Sequence, residues 1–145
     1  MRLVIQRVKK AKVLVKGKDK IVGKINEGLF ILMGVKDGDS IEDAERLAEK
    51  VSKLRIMADK KGKMNLSIKD VGGEVLVVSQ FTLYADTSKG NRPSFIKAGV
   101  PELAKDIYEH FIAQLKEKGI KVETGEFGAY MEINTELDGP VTIIL

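Results

Sequence analysis

The order of apolar and polar residues along the chain predicts a strand-rich protein. Several short runs are apolar or alternate apolar and charged positions, as strands do. Residues 75–78 (Val-Leu-Val-Val) are apolar without alternation, which is typical of a strand buried on both faces. A turn is predicted over residues 17–19. The predicted strands are residues 2–8, 11–16, 20–25, 29–33, 75–78, 121–124, 129–134 and 141–145.

Two helices interrupt these strands. Ser40 and Asp43 have the spacing of a capping box, so the first helix is expected to begin after Ser40. The second helix is expected to open at Pro101, a residue suited to a first helical position, and to end near Gly119. Each carries an apolar stripe at helical spacing. The stripes are Ile41, Ala44, Leu47, Ala48, Val51 and Leu54, then Leu103, Ile107, Phe111 and Leu115.

This order of elements predicts a mixed, strand-rich α/β fold, with a sheet that curls into a barrel-like shape beside two main helices. No internal repeat or Pro/Ser-rich linker divides the chain, so residues 1–145 are expected to form one domain. Weak alternation in several strands implies that both faces of the sheet are covered, either by helices or by a second subunit.

Composition narrows the possible functions. The chain has 43% hydrophobic and 32% charged residues, no cysteine and one histidine. Disulfides, thiolate nucleophiles and clustered zinc ligands are therefore excluded. An oxygen-only metal site stays open, but no Asp/Glu spacing such as that of an EF-hand loop occurs, so no metal or organic cofactor is expected. No apolar stretch has the length of a membrane span or of a signal-peptide core, so a cytoplasmic location without membrane contact is expected. The net charge of +4 permits a polyanionic partner without requiring one, and solvated surface lysines are expected to be its main cause. The excess of lysine over arginine, with plentiful glutamate, also matches a heat-adapted surface.

Two segments carry the candidate chemistry. Residues 79–83 (Ser-Gln-Phe-Thr-Leu) follow the buried strand and place hydroxyls, an amide and an aromatic ring at a sheet edge. Gly139 and Pro140 interrupt a strand-like region where an ordinary strand would carry neither residue. Together they predict a pocket whose selectivity comes from backbone shape, in a protein poor in conventional catalytic side chains.

Thr82 could act as a nucleophile only with a neighbouring base. His110 lies one position off the apolar stripe of the second helix and is expected to be an ordinary surface or boundary residue. No Ser-His-Asp arrangement is expected from a single histidine.

The chain resembles the D-aminoacyl-tRNA deacylase family nearly from end to end. Two residues depart from the family pattern: Leu137 stands where members usually have asparagine, and Tyr130 where they often have aspartate. The matching segments are residues 6–8 (Gln-Arg-Val), 62–65 (Gly-Lys-Met-Asn), 79–86 (Ser-Gln-Phe-Thr-Leu-Tyr-Ala-Asp), 89–95 (Lys-Gly-Asn-Arg-Pro-Ser-Phe), 124–125 (Thr-Gly), 127–129 (Phe-Gly-Ala) and 139–142 (Gly-Pro-Val-Thr).

The resemblance implies hydrolysis of the ester that joins a D-amino acid to the 3′ end of tRNA. The terminal ribose 2′-hydroxyl of the tRNA would help to activate water. Ser79, Gln80 and Thr82 would be the catalytic positions, holding the terminal adenosine and the ester. Phe81, Phe127 and Met131 would bind substrate. For Thr82, binding, direct nucleophilic attack and a purely structural role remain open, and for Phe127 adenine stacking and core packing remain open.

For Gly139 and Pro140 the resemblance implies a cis peptide bond that enters the pocket of the other subunit of a homodimer. Backbone atoms there would exclude an L side chain and accept a D one. Glycine has no side chain to exclude, so glycyl-tRNA, including glycine mischarged on tRNA(Ala), would also be cleaved. Read without the resemblance, the pair is an ordinary trans turn before a last strand.

Three cationic residues have two readings each. Arg7 resembles a residue that supports the Gly-Pro loop, but by itself it is a solvated charge ending an edge strand. Lys89 and Arg92 lie in a basic loop that could contact tRNA phosphates or could be exposed without function.

The sequence thus predicts a homodimeric tRNA-editing hydrolase that acts on aminoacylated tRNA and binds no DNA. Two alternatives remain: a non-catalytic RNA-binding module of the same fold, and a general esterase that uses Thr82.

Overall fold

A computed structural model describes residues 1–17 and 20–145. The predicted turn over residues 17–19 includes Lys18 and Asp19, which lie outside the described residues. In chain order the elements are β1 (Arg2–Val15), β2 (Lys20–Ile25), β3 (Gly28–Gly34), α1 (Ile41–Lys53), β4 (Met57–Ala58), β5 (Met64–Leu66), β6 (Glu74–Ser79), a 3₁₀ turn (Phe81–Tyr84), α2 (Pro101–Glu117), β7 (Lys121–Thr124) and β8 (Met131–Ile144).

Strand β1 organises the sheet. The prediction of separate strands at residues 2–8 and 11–16 was wrong, because β1 runs without a break. Its first half pairs with β3, its second half pairs with β2, and β8 pairs along its other edge. The adjacent lysines Lys9 and Lys10 looked like an interruption in the pattern. They mark instead a shift of register against β8 between Val8 and Lys10.

The sheet order is β2-β1-β3-β6-β7, with β3, β6 and β7 parallel to one another. The sheet curls until β2 meets β7. A Cβ atom on Gly23 of β2 would lie 2.4 Å from the carbonyl oxygen of Thr124, so the two strands approach closely because Gly23 has no side chain. The expected barrel-like, mixed α/β fold is confirmed, since the sheet is nearly closed and two helices accompany it.

Strand β8 also differs from the expectation of two strands at 129–134 and 141–145. It runs through Gly139 and Pro140. Its register against β1 shifts there, because Gln6 pairs with Thr142 and Val8 pairs with Leu137. Four residues, 138–141, thus stand opposite Arg7 alone. Gly139 and Pro140, which form the turn-like pattern in the sequence, lie within this irregularity.

Both predicted helices form where their local signals place them. Ser40 accepts from the backbone N–H of Asp43, and the Asp43 carboxylate accepts from the backbone N–H of Ser40, so the capping box is complete. The helices pack on one face of the sheet around residues such as Ile107 and Phe111, and a second apolar cluster including Leu76 fills the inside of the curl. No helix among the described residues is long and apolar enough to span a membrane.

Candidate active site

A cleft of about 830 Å³ opens where β6 ends. Its walls come from the end of β6, the start of the 3₁₀ turn, the loop before α2 and the first residues of β8. The buried strand predicted at 75–78 is confirmed, with each residue at most 1% exposed, and it delivers Ser79 to the cleft. The lining residues are Val35, Val78, Ser79, Gln80, Phe81, Phe95, Ile96, Ala98, Gly99, Val100, Pro101, Ala104, Phe127, Gly128, Ala129, Tyr130, Met131 and Ile133.

The polar groups of the cleft are few and lie together. The backbone N–H of Gln80 donates to the carbonyl of Met33 at 2.7 Å, which fixes the chain as it leaves β6. The Gln80 side-chain amide donates to Thr82 Oγ1 at 2.5 Å. Since that oxygen accepts from Gln80, the Thr82 hydroxyl keeps its own proton available for a ligand. Within residues 1–17 and 20–145, no hydrogen bond engages the backbone N–H groups of Phe81 and Thr82.

Thr82 has no base beside it. In the described part of the chain no carboxylate or imidazole is hydrogen-bonded to its hydroxyl. His110 instead contacts Glu45 of α1 across the two helices, with 3.0 Å between Nε2 and Oε1. Its side chain is 31% exposed, so the prediction of a boundary residue is confirmed. The geometry thus offers hydrogen-bonding groups at the cleft without an activated nucleophile.

Aromatic side chains stand on two sides of the cleft. Phe81 is 56% exposed and meets Phe95 edge to face, with ring centroids 5.0 Å apart. Phe127 is half-buried and leans on the ring of Tyr108 at 5.8 Å. Phe127 therefore packs against the core and also lines the cleft, while its stacking on adenine stays a prediction.

Tyr108 holds the back of this site in place. Its hydroxyl donates to the carbonyl of Val77 at 2.8 Å, and the same carbonyl accepts from the backbone N–H of Gly125 at 3.1 Å. Burial raises the pKa of Tyr108, so its hydroxyl stays protonated and acts as a donor. A Cβ on Gly125 would lie 2.6 Å from the sulfur of Met131, so the absence of a side chain at Gly125 lets Met131 reach the cleft.

Gly139 and Pro140 do not line this cleft. Their peptide bond is cis, and both residues are exposed. The preceding residue is tied to β1: Arg7 Nε lies 2.7 Å from an Asp138 carboxylate oxygen and also donates to the Asp138 carbonyl at 3.2 Å. Arg7 is 11% exposed and β1 is flanked on both sides, so the alternative reading of Arg7 as a solvated charge on an edge strand was wrong.

The basic loop lies outside the cleft. Residues 86–94 form a closed loop, in which Asp86 and Ser94 exchange backbone hydrogen bonds at 2.8 and 2.9 Å. Lys89 and Arg92 are exposed and form no ion pair with any described residue. The hydroxyl of Ser88 and the ammonium of Lys97 bind the Asp86 carboxylate and lower its pKa.

Sequence reasoning missed one wall of the cleft. Phe95, Ile96 and Val100 precede α2 and line the opening, with Ile96 90% exposed. Large apolar residues in a predicted loop were the available signal, because a solvated loop rarely carries several of them. Among the described residues no three histidine, aspartate or glutamate side chains are grouped so as to hold a metal ion.

Comparison with known proteins shows which family the chain belongs to. The family model described as D-Tyr-tRNA(Tyr) deacylase matches residues 4–145. The chain belongs to this family. It is 57% identical over 145 residues to a D-aminoacyl-tRNA deacylase of Thermotoga petrophila, covering 100% of this chain and 96% of that one. It is 56% identical to a D-aminoacyl-tRNA deacylase of Aquifex aeolicus, covering 100% and 97%. The resemblance seen in the sequence and the predicted enzyme class, a deacylase and therefore a hydrolase, are both confirmed.

Solved structures agree on the fold. A chain named c-Myc DNA Unwinding Element Binding Protein superposes with a TM-score of 0.91 and 37% identity, covering 100% of this chain and 97% of that one. A chain described as a "probable eukaryotic D-amino acid tRNA deacylase" superposes with a TM-score of 0.85 at 18% identity, covering 99% and 97%, and this likeness concerns the fold alone. The name of the first protein refers to DNA, and the expectation that the present chain has no DNA partner stays a prediction.

Proposed function

We propose that this protein is a cytoplasmic, homodimeric editing enzyme that cleaves the ester of D-aminoacyl-tRNA and of glycyl-tRNA, including glycine mischarged on tRNA(Ala), and spares L-aminoacyl-tRNA. The observation that carries the proposal is the pairing of Gln80 with Thr82 at the mouth of an otherwise apolar and aromatic cleft, in a chain whose residues 4–145 match a deacylase family. Such a cleft suits the 3′ end of a tRNA, because unstacked bases are held by aromatic rings and an ester by a few polar groups.

The terminal adenosine would lie against Phe81 and Phe127, whose rings are presented to the cleft from two sides. The ester would lie beside Gln80 and Thr82. The backbone N–H groups of Phe81 and Thr82 could then donate to the carbonyl oxygen as negative charge develops on it, and Ser79 would complete the polar wall. Stabilising an oxyanion in this way is worth about 3 kcal/mol per donor in well-studied hydrolases.

Thr82 acts in this proposal as a binding and positioning residue. A water molecule must still lose a proton, and the described residues place no general base at the Thr82 hydroxyl. The 2′-hydroxyl of the terminal ribose lies next to the ester in the substrate itself and is the candidate group for orienting and activating the water. Fixing these groups in a productive geometry can supply much of the rate enhancement.

Chiral selection is assigned to the Gly139–Pro140 dipeptide of a second copy. The dipeptide is exposed and lies outside the cleft of its own chain, so a second copy must supply it if it is to meet the amino acid. Backbone carbonyls held near the Cα atom would collide with an L side chain and leave space for a D side chain or for hydrogen. Arg7 would hold the dipeptide through Asp138.

A deacylation assay tests the proposal directly. D-aminoacyl-tRNA and glycyl-tRNA are expected to lose their amino acid rapidly, while the matching L-aminoacyl-tRNA is spared. Rapid loss of the L-ester would refute the backbone filter. Binding of tRNA without loss of any ester would support a non-catalytic RNA-binding module, and cleavage of small activated esters without tRNA would support a general esterase.

One variant and one modified substrate separate the roles at the cleft. Thr82→Ala should raise KM and lower kcat partially, whereas complete loss of turnover with unchanged tRNA affinity would favour Thr82 as the nucleophile. D-aminoacyl-tRNA that ends in 2′-deoxyadenosine, with the ester on the 3′-oxygen, should be cleaved slowly by the parent enzyme. Equal rates on the ribose and deoxyribose substrates would exclude the 2′-hydroxyl from the mechanism.

The basic loop has its own test. If Lys89 and Arg92 contact phosphates, the variant with both replaced by glutamine should bind tRNA with a weaker dependence on salt. An unchanged salt slope would rule out these contacts.

A further inference from the structure

The outer face of β1 and β2 carries lysines in an arrangement that costs stability unless an anion covers it. Lys10 and Lys12 of β1 and Lys16 directly after it are exposed, while Ala11, Val13 and Val15 between them are buried. Lys12 stands directly opposite Lys24 of β2. Like charges in directly opposed positions of an antiparallel pair are destabilising. We call Lys10, Lys12, Lys16 and Lys24 the lysine strip.

The strip has an excess of positive charge after its local ion pairs are considered. Lys10 is bound to Glu136 of β8 at 2.8 Å, and Glu132 accepts from Asn134 at 3.3 Å. Across from Lys12, however, β8 presents the neutral side chain of Asn134. Neither Lys12 nor Lys24 forms an ion pair with any residue in the described ranges 1–17 and 20–145. The opposed pair at the middle of the strip is therefore left uncompensated by the part of the protein described.

The strip begins at the rim of the cleft. Lys16 places its ammonium 4.8 Å from the centre of the Tyr130 ring, and Tyr130 lines the cleft. From Lys16 to Lys10 the strand advances six residues, or about 20 Å at the usual rise of an extended chain. A nucleic acid whose last nucleotide lies in the cleft would extend over a distance of this order through its next few nucleotides.

We propose that the lysine strip binds the phosphate backbone of the tRNA acceptor end upstream of the terminal adenosine. The inference rests on the proposed function, because that function puts the 3′ end of a tRNA in the cleft from which the strip leads away. The phosphates supply the negative charge that the opposed lysines Lys12 and Lys24 lack. The strip gives affinity without reading the sequence, as contacts to phosphates do.

The test measures how tRNA binding depends on salt. The probe is a tRNA carrying a D-amino acid through a 3′-amide, which is not hydrolysed, and the dissociation constant is measured between 50 and 200 mM KCl. Replacing Lys12 and Lys24 with glutamine should reduce the slope of log K against log salt by about 1.4 to 1.8, since each phosphate contact contributes about 0.7 to 0.9. At 0.1 M salt the affinity should fall about 25- to 60-fold if release of counterions supplies the whole effect.

The matched control removes the same charge elsewhere. Lys60 and Lys61 are exposed in the turn between β4 and β5 and form no ion pair with a described residue. Replacing both with glutamine should leave the slope within about 0.3 of the parent value. Equal slopes for the two double variants would overturn the proposal, because net charge alone would then explain the effect.

A second ligand separates this proposal from the proposed function. The same D-amino acid linked through an amide to adenosine alone carries none of the upstream phosphates. The difference between the Lys12/Lys24 variant and its parent should therefore appear with the tRNA and vanish with the nucleoside; a loss of equal size with both ligands would overturn the proposal. Failure of the parent to cleave any D-aminoacyl-tRNA would refute the proposed function, while the salt slope would still report on the strip.

Discussion

Arg7 offers the most direct test of how the Gly139–Pro140 segment is held. Its guanidinium donates to two carbonyls, those of Asp138 at 3.2 Å and Ile56 at 2.9 Å, and forms an ion pair with the Asp138 carboxylate at 2.7 Å. We consider Arg7→Met, which keeps much of the apolar stem and removes every donor. Two carbonyls and a carboxylate then lose a partner, in a place where the arginine side chain was 11% exposed.

The size of the expected stability loss follows from how deeply Arg7 and Asp138 are buried. Removing one partner of a fully buried ion pair costs about 3–5 kcal/mol, and a hydrogen bond to a charged group is worth about 1.5–3 kcal/mol. Asp138 is 35% exposed, so water can solvate part of its charge after the change. We therefore expect a loss of about 2–3 kcal/mol in the free energy of unfolding, or roughly 5–10 °C in Tm for a chain of this size.

Arg46→Met is the matched control. Arg46 is 70% exposed and pairs with Asp43 one turn earlier on α1 at 3.0 Å, an arrangement worth about 0.5 kcal/mol or less. Both variants are measured by urea unfolding and by the ratio of D- to L-aminoacyl-tRNA hydrolysis. Arg7→Met should lower that ratio, whereas Arg46→Met should leave it unchanged. Equal stability losses in the two variants would refute the reasoning about burial, and an unchanged ratio in Arg7→Met would refute the supporting role of Arg7.

Three further predictions concern the fold around the site. Gly23→Ala should cost about 1–3 kcal/mol in urea unfolding, because the new Cβ would lie 2.4 Å from Thr124 O, whereas Gly99→Ala, with its nearest contact at 3.4 Å, should cost much less. Tyr108→Phe should cost about 1 kcal/mol in the same assay, since the Val77 carbonyl keeps its bond from Gly125, and a loss above about 3 kcal/mol would contradict this. Ser88→Ala should raise the lowered pKa of Asp86 toward its usual 3.8, as followed by NMR titration. Because the folded-state pKa lies below the unfolded one, Asp86 stabilises the protein above about pH 4, and this stabilisation is lost as the pH falls; the variant should lose less stability between pH 4 and pH 2 than the parent does, and an equal loss would count against the assignment.

The helices could be predicted because their signals are local. A capping box lies within four residues, and the stripe that follows Ser40 depends only on the helical period. Strand boundaries were less predictable, since they depend on partners distant in sequence. Nothing near Lys9 shows that β8 pairs along both halves of β1, so the sequence pattern predicts two strands where the structure has one of 14 residues.

The candidate site likewise has one part that the sequence predicts and one part that depends on distant contacts. Residues 79–81 line the cleft at the end of a strand whose burial is evident from its composition, so their position there could be predicted, and Thr82 is joined to this wall through Gln80. The wall formed by Phe95, Ile96 and Val100 could not, because the loop reaches the cleft through tertiary contacts: Gly99 donates to the carbonyl of Val35 at 3.0 Å, and Asp37 donates to that of Lys97 at 3.1 Å. Those contacts join a loop to the end of β3, more than sixty residues earlier in the chain.

The irregularity that obscured β8 in the sequence is also the feature that its proposed role requires. A regular antiparallel ladder would pair residues 138–141 one for one with β1 and direct their backbone groups into its hydrogen bonds. Four residues opposite Arg7 cannot all pair, so part of this segment must project from the ladder. Arg7 fills the gap on the β1 side and binds Asp138, the first of the four residues. A backbone filter needs main-chain atoms that are exposed yet held in one position, and a bulge tied by a largely buried arginine provides both conditions.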